Sequence, residues 1–471
     1  MNLGKKTKVV CTIGPATETK EKLTELVNAG MNVMRLNFSH GSFEEHQARV
    51  GSIRAIMEKT KRRVAIMQDL SGPKMRIGAF KDEKITLKEG QVFTLTSDEC
   101  EGTEERVSVN YPLLPKEVKI GGSIMLQDGS KRLEITEIKG NDIITKVVVG
   151  GTISSHRGVN VPGADLSVSS LTDKDKKDIE FGIKNKVDFI ALSFVRKADD
   201  IRELRDILEK GGSSAQIIAK IETPQAVDNI DEIIDVADGI MVARGDLAIE
   251  IPAEDVPLTQ KLIIHKCNSV GKPVITATQM LESMIKSPVP TRAEVSDVAN
   301  AIIDGTDAVM LSEETTLGSF PVEAVKVMTK IALRLEKEVY TKDTIAEYAE
   351  SHGVTDVVSQ AAVRVAHSVG ATLIVALTRK GHVPRMIARY RPAEPVLVLS
   401  DEEENLNRLM LTFGCYPMIV PTLKDIGEIM DIVRSATLDG GLVKKGDRVV
   451  IVAGMPMSAS GETNTILVET V

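Results

Sequence analysis

The 471-residue chain contains no tryptophan, and its aromatic residues amount to only 3%. A surface that stacks nucleic-acid bases or sugar rings needs exposed aromatic side chains, so no such surface is expected. The net charge of −8 argues against a nucleic acid or an anionic membrane as the main partner. Because the chain also lacks a run of about 18 apolar residues, no transmembrane helix is expected.

Cysteine is scarce as well. Cys11, Cys100, Cys267 and Cys415 are far apart and form no CxxC pair or metal-binding spacing. A chain of this length folds without disulfide bonds, so free thiols are expected. The N-terminal segment has a basic start, but its apolar stretch is too short for a signal peptide. These features favour the reducing cytoplasm as the location.

The first 70 residues alternate between β-rich runs and amphipathic segments, the pattern of a β-α-β-α-β unit with a parallel sheet. Ser42 and Glu45 have the spacing of a helix capping box, and His46 is expected on the solvated face of that helix. Residues 80–165 then show short alternating runs separated by Gly, Asn and Asp, which predicts a small all-β module. The strands expected in the first unit are 7–13, 33–39 and 63–69.

After the all-β module, five further strand-like runs alternate with helical segments up to residue 340. Three strands before the insert and five after it predict an α/β fold of the TIM (β/α)8 barrel type. A doubly wound sheet is the alternative, but it needs a glycine-rich phosphate loop that the segment TIGPAT does not provide. The expected domains are a discontinuous barrel domain (1–69 and 166–340), an inserted small β-barrel domain (70–165) and a C-terminal α/β domain (341–471).

Polar side chains are concentrated where the predicted barrel strands end. In a TIM barrel, the carboxyl ends of the strands and the loops after them carry the catalytic groups. Burying so many polar groups without partners would cost several kcal/mol, so a site filled by water or ligand is expected there. The residues concerned are Arg35, Asn37, Ser39, His40, Asp69, Lys74, Arg76, Lys220, Glu222, Arg244, Asp246, Thr276, Thr278, Ser312, Glu313 and Glu314.

These residue types have the chemistry that phosphoryl transfer needs. Glu222 and Asp246 are carboxylates on adjacent strand ends, suited to one hard divalent cation. Arg35, Arg76 and Lys220 offer positive charge to a phosphate or carboxylate group. Phosphoryl transfer is catalysed mostly by positioning and charge stabilisation, so the set predicts that reaction. The sequence contains no Walker A, HRD or DFG signature, which excludes the familiar kinase folds.

Ten motifs in order along the chain resemble those of the pyruvate kinase family: CTIGPAT, MNVMRLNFSHG, DLSGPKMR, GVNVPG, SFVR, AKIETPQAVDNIDEI, DGIMVARGDL, ITATQMLESM, PTRAEVSDVANAIIDGTDAVMLSEET and SGETNT. The resemblance runs from Thr7 to Asn464 and implies a barrel domain, a β-barrel lid and a regulatory C-terminal domain. It implies transfer of the phosphoryl group of phosphoenolpyruvate to ADP, which gives pyruvate and ATP in the last step of glycolysis. It also implies Mg²⁺ or Mn²⁺ as the cofactor, a cytoplasmic homotetramer, and a phosphorylated allosteric effector as a candidate partner.

The resemblance assigns roles to matching positions. Glu222 and Asp246 resemble the divalent-metal ligands, and Lys220 resembles the cation that stabilises the moving phosphoryl group and the enolate oxygen. Thr278 resembles the residue linked to protonation at carbon three, through a water and Ser312. The implied substrate-binding set is Arg35, Lys220, Ala243, Arg244, Gly245, Asp246 and Thr278, with Arg76 among the catalytic residues. The implied monovalent-cation cage is Asn37, Ser39, Asp69 and Leu70, and the implied nucleotide-binding set is His40, Arg76, Asp128 and Arg157.

Lys74 departs from the GPE motif of many family members, because the motif here reads GPK. The glutamate accompanies a need for K⁺, and the Lys74 ammonium near the Asp69 cage can supply that charge internally. The resemblance thus implies a bacterial-type enzyme that does not require added K⁺, with an ordinary solvated lysine as the alternative. Gln127 and Arg157 are further departures that bear on nucleotide contacts. Asp128 has the alternative role of a turn residue, since Asp-Gly is a strong hairpin signal.

A short charged segment follows the first predicted strand of the C-terminal domain, at the position of the family's effector loop. It is a candidate anion site that faces residues 454–464, and a simple turn before a helix is the alternative. The extra C-terminal domain of some bacterial relatives is not expected, because the chain ends at Val471. The residues of this effector segment are Thr378, Arg379, Lys380, Gly381 and His382.

The sequence leaves three functions open. The first is an active pyruvate kinase, and the second is a protein on the same scaffold that senses ligands without turnover. The third is another enolate-forming barrel enzyme, such as an aldolase acting on phosphoenolpyruvate or oxaloacetate. The complete set of Lys220, Glu222, Asp246 and Thr278 favours catalysis over sensing. The lid and the arginine pair favour phosphoryl transfer over aldol chemistry.

Overall fold

The structure is a computed structural model that describes residues 3–164, 166–340, 353–422, 426–455 and 463–471. Most of the segment 454–464, which was expected to face the effector segment, lies outside these ranges. No helix in the described part of the chain is long and apolar enough to cross a membrane.

The chain begins with two β-α units and a third strand. The elements are β1 (Lys8–Thr12), α1 (Lys20–Ala29), β2 (Val33–Asn37), α2 (Phe43–Thr60) and β3 (Ala65–Asp69). The hydroxyl of Thr19 caps α1, and Ser42 forms with Glu45 the capping box that the spacing predicted for α2. Each of the three strands is almost entirely buried, as expected for a parallel sheet that is covered on both faces.

The expectation that His46 lies on a solvated face is wrong. Its side chain is only 1% exposed, and its ring stacks on Phe38 with the ring centroids 4.2 Å apart. Phe181, from a segment far along the chain, packs edge-on against the same ring. The Nε2 atom of His46 lies 3.0 Å from the carbonyl oxygen of His40. Burial lowers the pKa of His46 to about 4, so the ring is neutral at pH 7.

A predominantly β lid follows β3. Its elements are β4 (Lys84–Leu87), β5 (Val92–Thr96), β6 (Arg106–Ser108), α3 (Leu114–Glu117), β7 (Ser123–Leu126), β8 (Lys131–Lys139), β9 (Asp142–Val149), β10 (Gly151–Ser154) and β11 (Val159–Asn160). They form a six-stranded sheet, in the order β11-β7-β8-β9-β5-β6, and a two-stranded sheet of β10 and β4, around one apolar core. The short elements α3, β10 and β11 were not among the expected runs.

The β-α alternation then resumes. The elements are α4 (Asp173–Lys184), β12 (Phe189–Leu192), α5 (Ala198–Lys210), β13 (Gln216–Ile221), α6 (Pro224–Asp228), α7 (Ile230–Val236), β14 (Gly239–Ala243), α8 (Arg244–Glu250), α9 (Val256–Ser269), β15 (Val274–Ala277), α10 (Arg292–Ile303), β16 (Ala308–Leu311), α11 (Glu313–Thr316) and α12 (Pro321–Val339). Capping boxes begin two of these helices, α4 after Thr172 and α10 after Thr291.

Eight parallel strands close into a barrel in the order β1-β16-β15-β14-β13-β12-β3-β2. This confirms the predicted TIM barrel, with the lid inserted after its third strand. The barrel interior is packed with apolar side chains from the strands. Because all strands are parallel, their carboxyl ends meet at one face of the barrel, which is the face where β3 leads into the lid.

The C-terminal domain is a predominantly parallel α/β unit, as predicted. Its elements are α13 (Val354–Val369), β17 (Leu373–Leu377), α14 (His382–Ala388), β18 (Val396–Ser400), α15 (Glu403–Arg408), β19 (Cys415–Ile419), α16 (Ile426–Arg434), β20 (Arg448–Ala453) and β21 (Thr465–Thr470). The sheet order is β19-β18-β17-β20-β21, and the pairing of β20 with β21 is antiparallel. All four cysteines are free, as predicted.

The C-terminal domain packs against the amino end of the barrel. Met410 and Leu411 join the apolar cluster of the barrel interior. Arg391 forms an ion pair with Asp307, just before β16, with 2.9 Å between Nη1 and Oδ1. The carboxyl end of the barrel is therefore left to the lid and to ligands.

Candidate active site

The centre of the site is the ammonium group of Lys220 on β13. Lys220 and Glu222 are two residues apart on one extended segment, so their side chains point the same way. The Nζ atom of Lys220 lies 3.0 Å from Glu222 Oε1 and 3.2 Å from Asp69 Oδ1. Its third contact is the hydroxyl oxygen of Ser193, at 2.7 Å. Residues from the ends of three neighbouring strands, β3, β12 and β13, thus converge on one buried cation.

Arg35 supplies a second cation from β2. Its Nε donates to Asp69 Oδ2 at 2.6 Å, and its Nη1 donates to the hydroxyl of Thr12 at 2.8 Å. Among the described residues, its Nη2 has no hydrogen-bond partner. Asp69 therefore holds both Arg35 and Lys220 in place, while one nitrogen of the guanidinium group remains available to an anion.

The charges of this cluster set its protonation states. Burial alone would raise the pKa of Asp69, but the positive charges of Arg35 and Lys220 outweigh it and lower the pKa. Burial alone would lower the pKa of Lys220, but Asp69 and Glu222 outweigh it and raise the pKa. Burial raises the pKa of Glu222, the Lys220 ammonium opposes that shift, and the charge of Asp246 adds to it. Lys220 is thus a permanent cation between carboxylates.

Glu222 and Asp246 fit a divalent metal ion. Asp246 is half-buried in the first turn of α8, close enough to Glu222 for its charge to raise the pKa of that carboxyl. A cation between the two would relieve this repulsion. In the described part of the chain, no group of three or more His, Cys, Asp or Glu side chains could hold a metal. Mg²⁺ commonly takes one or two carboxylates and completes its shell with substrate oxygens and water, so this donor pair suits it.

Thr278 lies directly after β15, in a strained conformation. Its φ is 69°, in the left-handed region that β-branched residues rarely adopt. Its hydroxyl donates to the carbonyl of Ala277 at 2.6 Å and accepts the N–H of Gly245 at 2.7 Å. Among the described residues, Thr278 makes no direct hydrogen bond to Ser312. The turn ties the end of β15 to the start of α8, where Ala243 precedes the first helical residue.

The side chain of Arg244 is held away from the Lys220 cluster. Its Nη1 forms an ion pair with Asp297 Oδ1 at 2.6 Å, and its Nη2 donates to the carbonyl of Thr278 at 2.7 Å. Its Nε donates to the carbonyl of Ala277 at 3.3 Å. Arg244 therefore supports the strained Thr278 turn, which leaves the backbone of residues 243–246 as the part of this segment that can meet a substrate.

Three of the four residues of the implied monovalent-cation cage, Asn37, Asp69 and Leu70, already accept hydrogen bonds. Asn37 Oδ1 accepts the N–H of Ser39 at 3.1 Å, and the carbonyl of Leu70 accepts the Ser193 hydroxyl at 2.6 Å. Asp69 binds both cations described above. Lys74 is exposed, and in the described ranges its side chain makes no hydrogen bond or ion pair.

A cleft of about 740 Å³ separates the lid from the barrel. Lys74, Asp128 and Asp246 line it together, so the lid brings Asp128 to the same space as a proposed metal ligand. Asp128 has a φ of 55° and is the second residue of a turn, which the N–H of Ser130 closes by donating to the carbonyl of Gln127 at 3.1 Å. This agrees with the alternative role of Asp128 as a turn residue.

The other implied nucleotide-binding residues lie at the lid or beside it. The Nη1 of Arg76 donates to the carbonyl of His156 at 3.0 Å, so the guanidinium group of Arg76 is held by the lid. The Nε of Arg157 donates to the hydroxyl of Ser154 at 2.8 Å. His40 is exposed after β2.

The effector segment forms a closed turn before α14. The hydroxyl of Thr378 accepts the N–H of Gly381 at 2.9 Å, and Gly381 has a φ of 80° that favours glycine. Arg379, Lys380 and His382 are exposed around this turn. The geometry fits the alternative of a helix-entry turn and also presents two cations to solvent.

Sequence reasoning missed two residues of the site, Ser193 and Phe194. Ser193 holds the Lys220 ammonium, and the N–H of Phe194 donates to Glu222 Oε2 at 2.8 Å. A signal was present, because Ser193 is a polar residue directly after the buried run of β12. The motif SFVR was noted as a resemblance, but its serine was given no chemical role.

A closed eight-stranded barrel with an inserted lid, and buried cations and carboxylates at its carboxyl end, define the class of lidded TIM-barrel enzymes that act on anionic substrates. The sequence profile described as "Pyruvate kinase, barrel domain" matches residues 4–325, and that described as "Pyruvate kinase, alpha/beta domain" matches residues 356–469. The chain therefore belongs to the pyruvate kinase family.

Similar proteins support this membership. The chain is 48% identical to a pyruvate kinase of Geobacillus stearothermophilus, over 99% of this chain and 80% of that protein. It is 44% identical to a pyruvate kinase of Clostridium acetobutylicum, over 99% of both chains. A crystal structure of a pyruvate kinase from Cryptosporidium parvum has a TM-score of 0.94 at 37% identity, covering 99% of this chain and 96% of that chain.

Proposed function

We propose that this chain transfers the phosphoryl group of phosphoenolpyruvate to ADP and yields pyruvate and ATP. The observation that carries the proposal is the buried cluster of Lys220, Arg35, Asp69 and Glu222 at the carboxyl end of the barrel. Lys220 and Arg35 are held by carboxylates, and the Nη2 atom of Arg35 has no partner among the described residues. This arrangement suits the binding of a phosphoryl group during its transfer. Family membership supports the same reaction.

In this reaction the bond between phosphorus and the enolate oxygen breaks, and a terminal oxygen of ADP forms the new bond to phosphorus. The Lys220 ammonium stabilises the negative charge on the phosphoryl oxygens and on the enolate oxygen. Arg35 orients the phosphate through its remaining nitrogen. The enolate then takes up a proton at carbon three and becomes pyruvate. Thr278 lies beside the first turn of α8. In the proposed reaction it positions the proton donor, which is a water molecule near Ser312.

Glu222 and Asp246 would hold Mg²⁺ or Mn²⁺, which supplies a Lewis acid that binds substrate oxygens. The lid residues Asp128 and Arg157, together with Arg76 and His40, would contact the nucleotide. Free cysteines support a reducing compartment such as the cytoplasm. The proposal also includes a homotetramer and an anionic effector that binds at the effector segment, because the resemblance to the family implies both.

We further propose that the enzyme needs no added K⁺. Lys74 lines the cleft with its ammonium group unpaired among the described residues, and Asn37, Asp69 and Leu70 of the implied cage already accept hydrogen bonds from protein groups. Because protein donors already satisfy these oxygens, a monovalent ion is less necessary to neutralise them.

The test measures pyruvate formation from phosphoenolpyruvate, ADP and Mg²⁺ in a buffer without sodium or potassium, repeated with KCl at matched ionic strength. Equal activity in both buffers is expected. Activity only with K⁺ would support the proposed kinase activity and refute the proposal that no added K⁺ is needed. If folded protein releases no pyruvate in either buffer, the kinase proposal fails. Pyruvate release that does not depend on ADP would instead indicate another enolate-forming enzyme.

A further inference from the structure

The two residues after β12, Ser193 and Phe194, form a corner beside the catalytic strand β13. Ser193 is 1% exposed, and its hydroxyl makes two hydrogen bonds. The oxygen accepts from Lys220 Nζ at 2.7 Å, and the hydroxyl hydrogen goes to the carbonyl of Leu70 at 2.6 Å. Both bonds join the corner to residues that the proposed function uses.

Phe194 makes the complementary contact to Glu222. Its φ of 54° places a bulky aromatic residue in the left-handed region, which is a strained conformation for it. In this conformation its backbone N–H donates to Glu222 Oε2 at 2.8 Å. Strained backbone persists where surrounding contacts enforce it, often at functional sites. The strain here directs an N–H to a carboxylate that is proposed to bind the metal.

Gly72 holds the corner from the loop after β3. A Cβ atom at Gly72 would lie 2.9 Å from the Cβ of Ser193 and 2.9 Å from Cδ2 of Phe194, closer than any normal contact. Gly72 also has a φ of 65°, so both its backbone conformation and the lack of space for a Cβ atom favour glycine at this position. The close approach leaves the corner little freedom to move.

We propose that Ser193 and Phe194 are a positioning pair for Lys220 and Glu222, a role that rests on the proposed function of those two residues. Without the Ser193 hydroxyl, the Lys220 ammonium keeps only carboxylate partners and shifts towards them. Its distance to the enolate oxygen then increases. Misplacement of a catalytic group by about 1 Å can cost about 100-fold in rate.

The test compares Ser193→Ala with Ser359→Ala. Both serines are buried, and among the described residues the Ser359 hydroxyl bonds a single group, a carbonyl within its own helix, at 2.7 Å. For Ser193→Ala we expect kcat to fall by about 10- to 100-fold with the KM for ADP unchanged. Exchange of the carbon-three protons of pyruvate in D₂O, followed by NMR with Mg²⁺ and phosphate but no ADP, should fall by the same factor. Ser359→Ala should retain both rates.

Two more variants separate the possible failures. Lys220→Met tests the proposed function, and full activity of that variant would remove the basis of the inference. If Lys220→Met is inactive while Ser193→Ala keeps kcat within threefold of the original, the positioning role of the corner is refuted. Should Ser193→Ala not fold, Phe194→Gly serves instead, because it keeps the N–H but frees the backbone. We expect it to need several-fold more Mg²⁺ for half-maximal rate, and an unchanged Mg²⁺ requirement would overturn the proposal.

Discussion

At the scale of single residues, the site is organised by charge. Lys220 is buried, and such a cation is tolerated only because Asp69 and Glu222 lie within ion-pair distance. Lys74 is the opposite case, an exposed lysine whose charge is free to act on the cleft. The two lysines therefore call for different experiments: removal of Lys220 tests catalysis, and a change of sign at Lys74 tests the cation requirement.

Lys74→Glu is expected to create a K⁺ requirement. The substitution replaces a positive by a negative charge on the wall of the cleft, which an external cation can then compensate. Activity without K⁺ should fall at least about tenfold, and KCl should restore it at constant ionic strength, since about 1.4 kcal/mol of lost charge stabilisation is worth a factor of ten. Lys176→Glu, an exposed change on α4, is the control. A Lys74→Glu enzyme that is equally active without K⁺ would contradict the expectation.

His46 is expected to make stability depend on pH. Burial lowers its pKa to about 4, from an unfolded value of about 6.5, so between these values the unfolded chain binds more protons. The contribution of neutral His46 to the free energy of unfolding is therefore complete above pH 6.5 and falls as the pH drops towards 4, by up to about 2 kcal/mol at pH 5. His46→Gln keeps an N–H donor but does not titrate. Its Tm should decline less between pH 7 and pH 5, and parallel declines would refute this role.

At the scale of elements, the lid is attached to the barrel by a few polar contacts. Asn160 on β11 donates from Nδ2 to Glu250 Oε1 at 3.0 Å, at the end of α8. Gln225 donates to the carbonyl of Ala164 at 3.1 Å. Arg196 donates to the carbonyls of two residues that follow the lid, Leu166 and Val168. Among the described residues, these contacts bridge the lid and the barrel, and lids of enzymes generally open and close over a site by making and breaking such contacts.

Asn160→Ala is expected to weaken nucleotide binding. One hydrogen bond is worth about 1 kcal/mol, so the closed lid should become about fivefold less populated. The KM for ADP should rise by about that factor, with kcat nearly unchanged, because Asn160 does not contact Lys220. Asn141→Ala is the control, since its side chain bonds Asp98 within the lid. A KM for ADP equal to that of the control would show that this contact does not hold the lid.

At the scale of the whole molecule, the C-terminal domain closes the amino end of the barrel. Arg391 and Asp307 are both 5% exposed at this boundary, and Asp307 also accepts the N–H of Phe413 at 2.9 Å. Met410 and Leu411 fill the base of the barrel interior. The candidate active site and the domain boundary are thus at opposite ends of the same strands.

Arg391→Met is expected to lower the stability of this domain boundary. Removing one partner of a buried ion pair costs about 3–5 kcal/mol, because the remaining charge is left unpaired in the interior. The control is Arg334→Met, whose ion pair with Glu338 is exposed and is worth about 0.5 kcal/mol. Calorimetric melting should show a large decrease in Tm for Arg391→Met and almost none for Arg334→Met. Equal melting curves would exclude a stabilising role for the pair.

Sequence reasoning predicted the fold class because local signals and chain order agree. Capping residues such as Ser42 and Thr172 mark helix starts, and apolar runs mark the buried strands. Catalytic groups of TIM barrels lie at strand ends, so Lys220, Glu222 and Asp69 are candidates from their positions after those runs, and the structure brings the three side chains together. His46 could not be predicted, because the rings that bury it come from other elements.

The sequence by itself determined the eight β-α units, the inserted all-β lid and the charged residues at the strand ends, since these depend on periodicity and position along the chain. Only the tertiary structure decided which of those charges meet. It joined Asp69 to both Arg35 and Lys220, and it turned Arg244 towards Asp297. The reason is physical: the contacts of a buried charge depend on the register of neighbouring strands and on backbone turns such as that at Phe194, and neither is encoded in local sequence patterns.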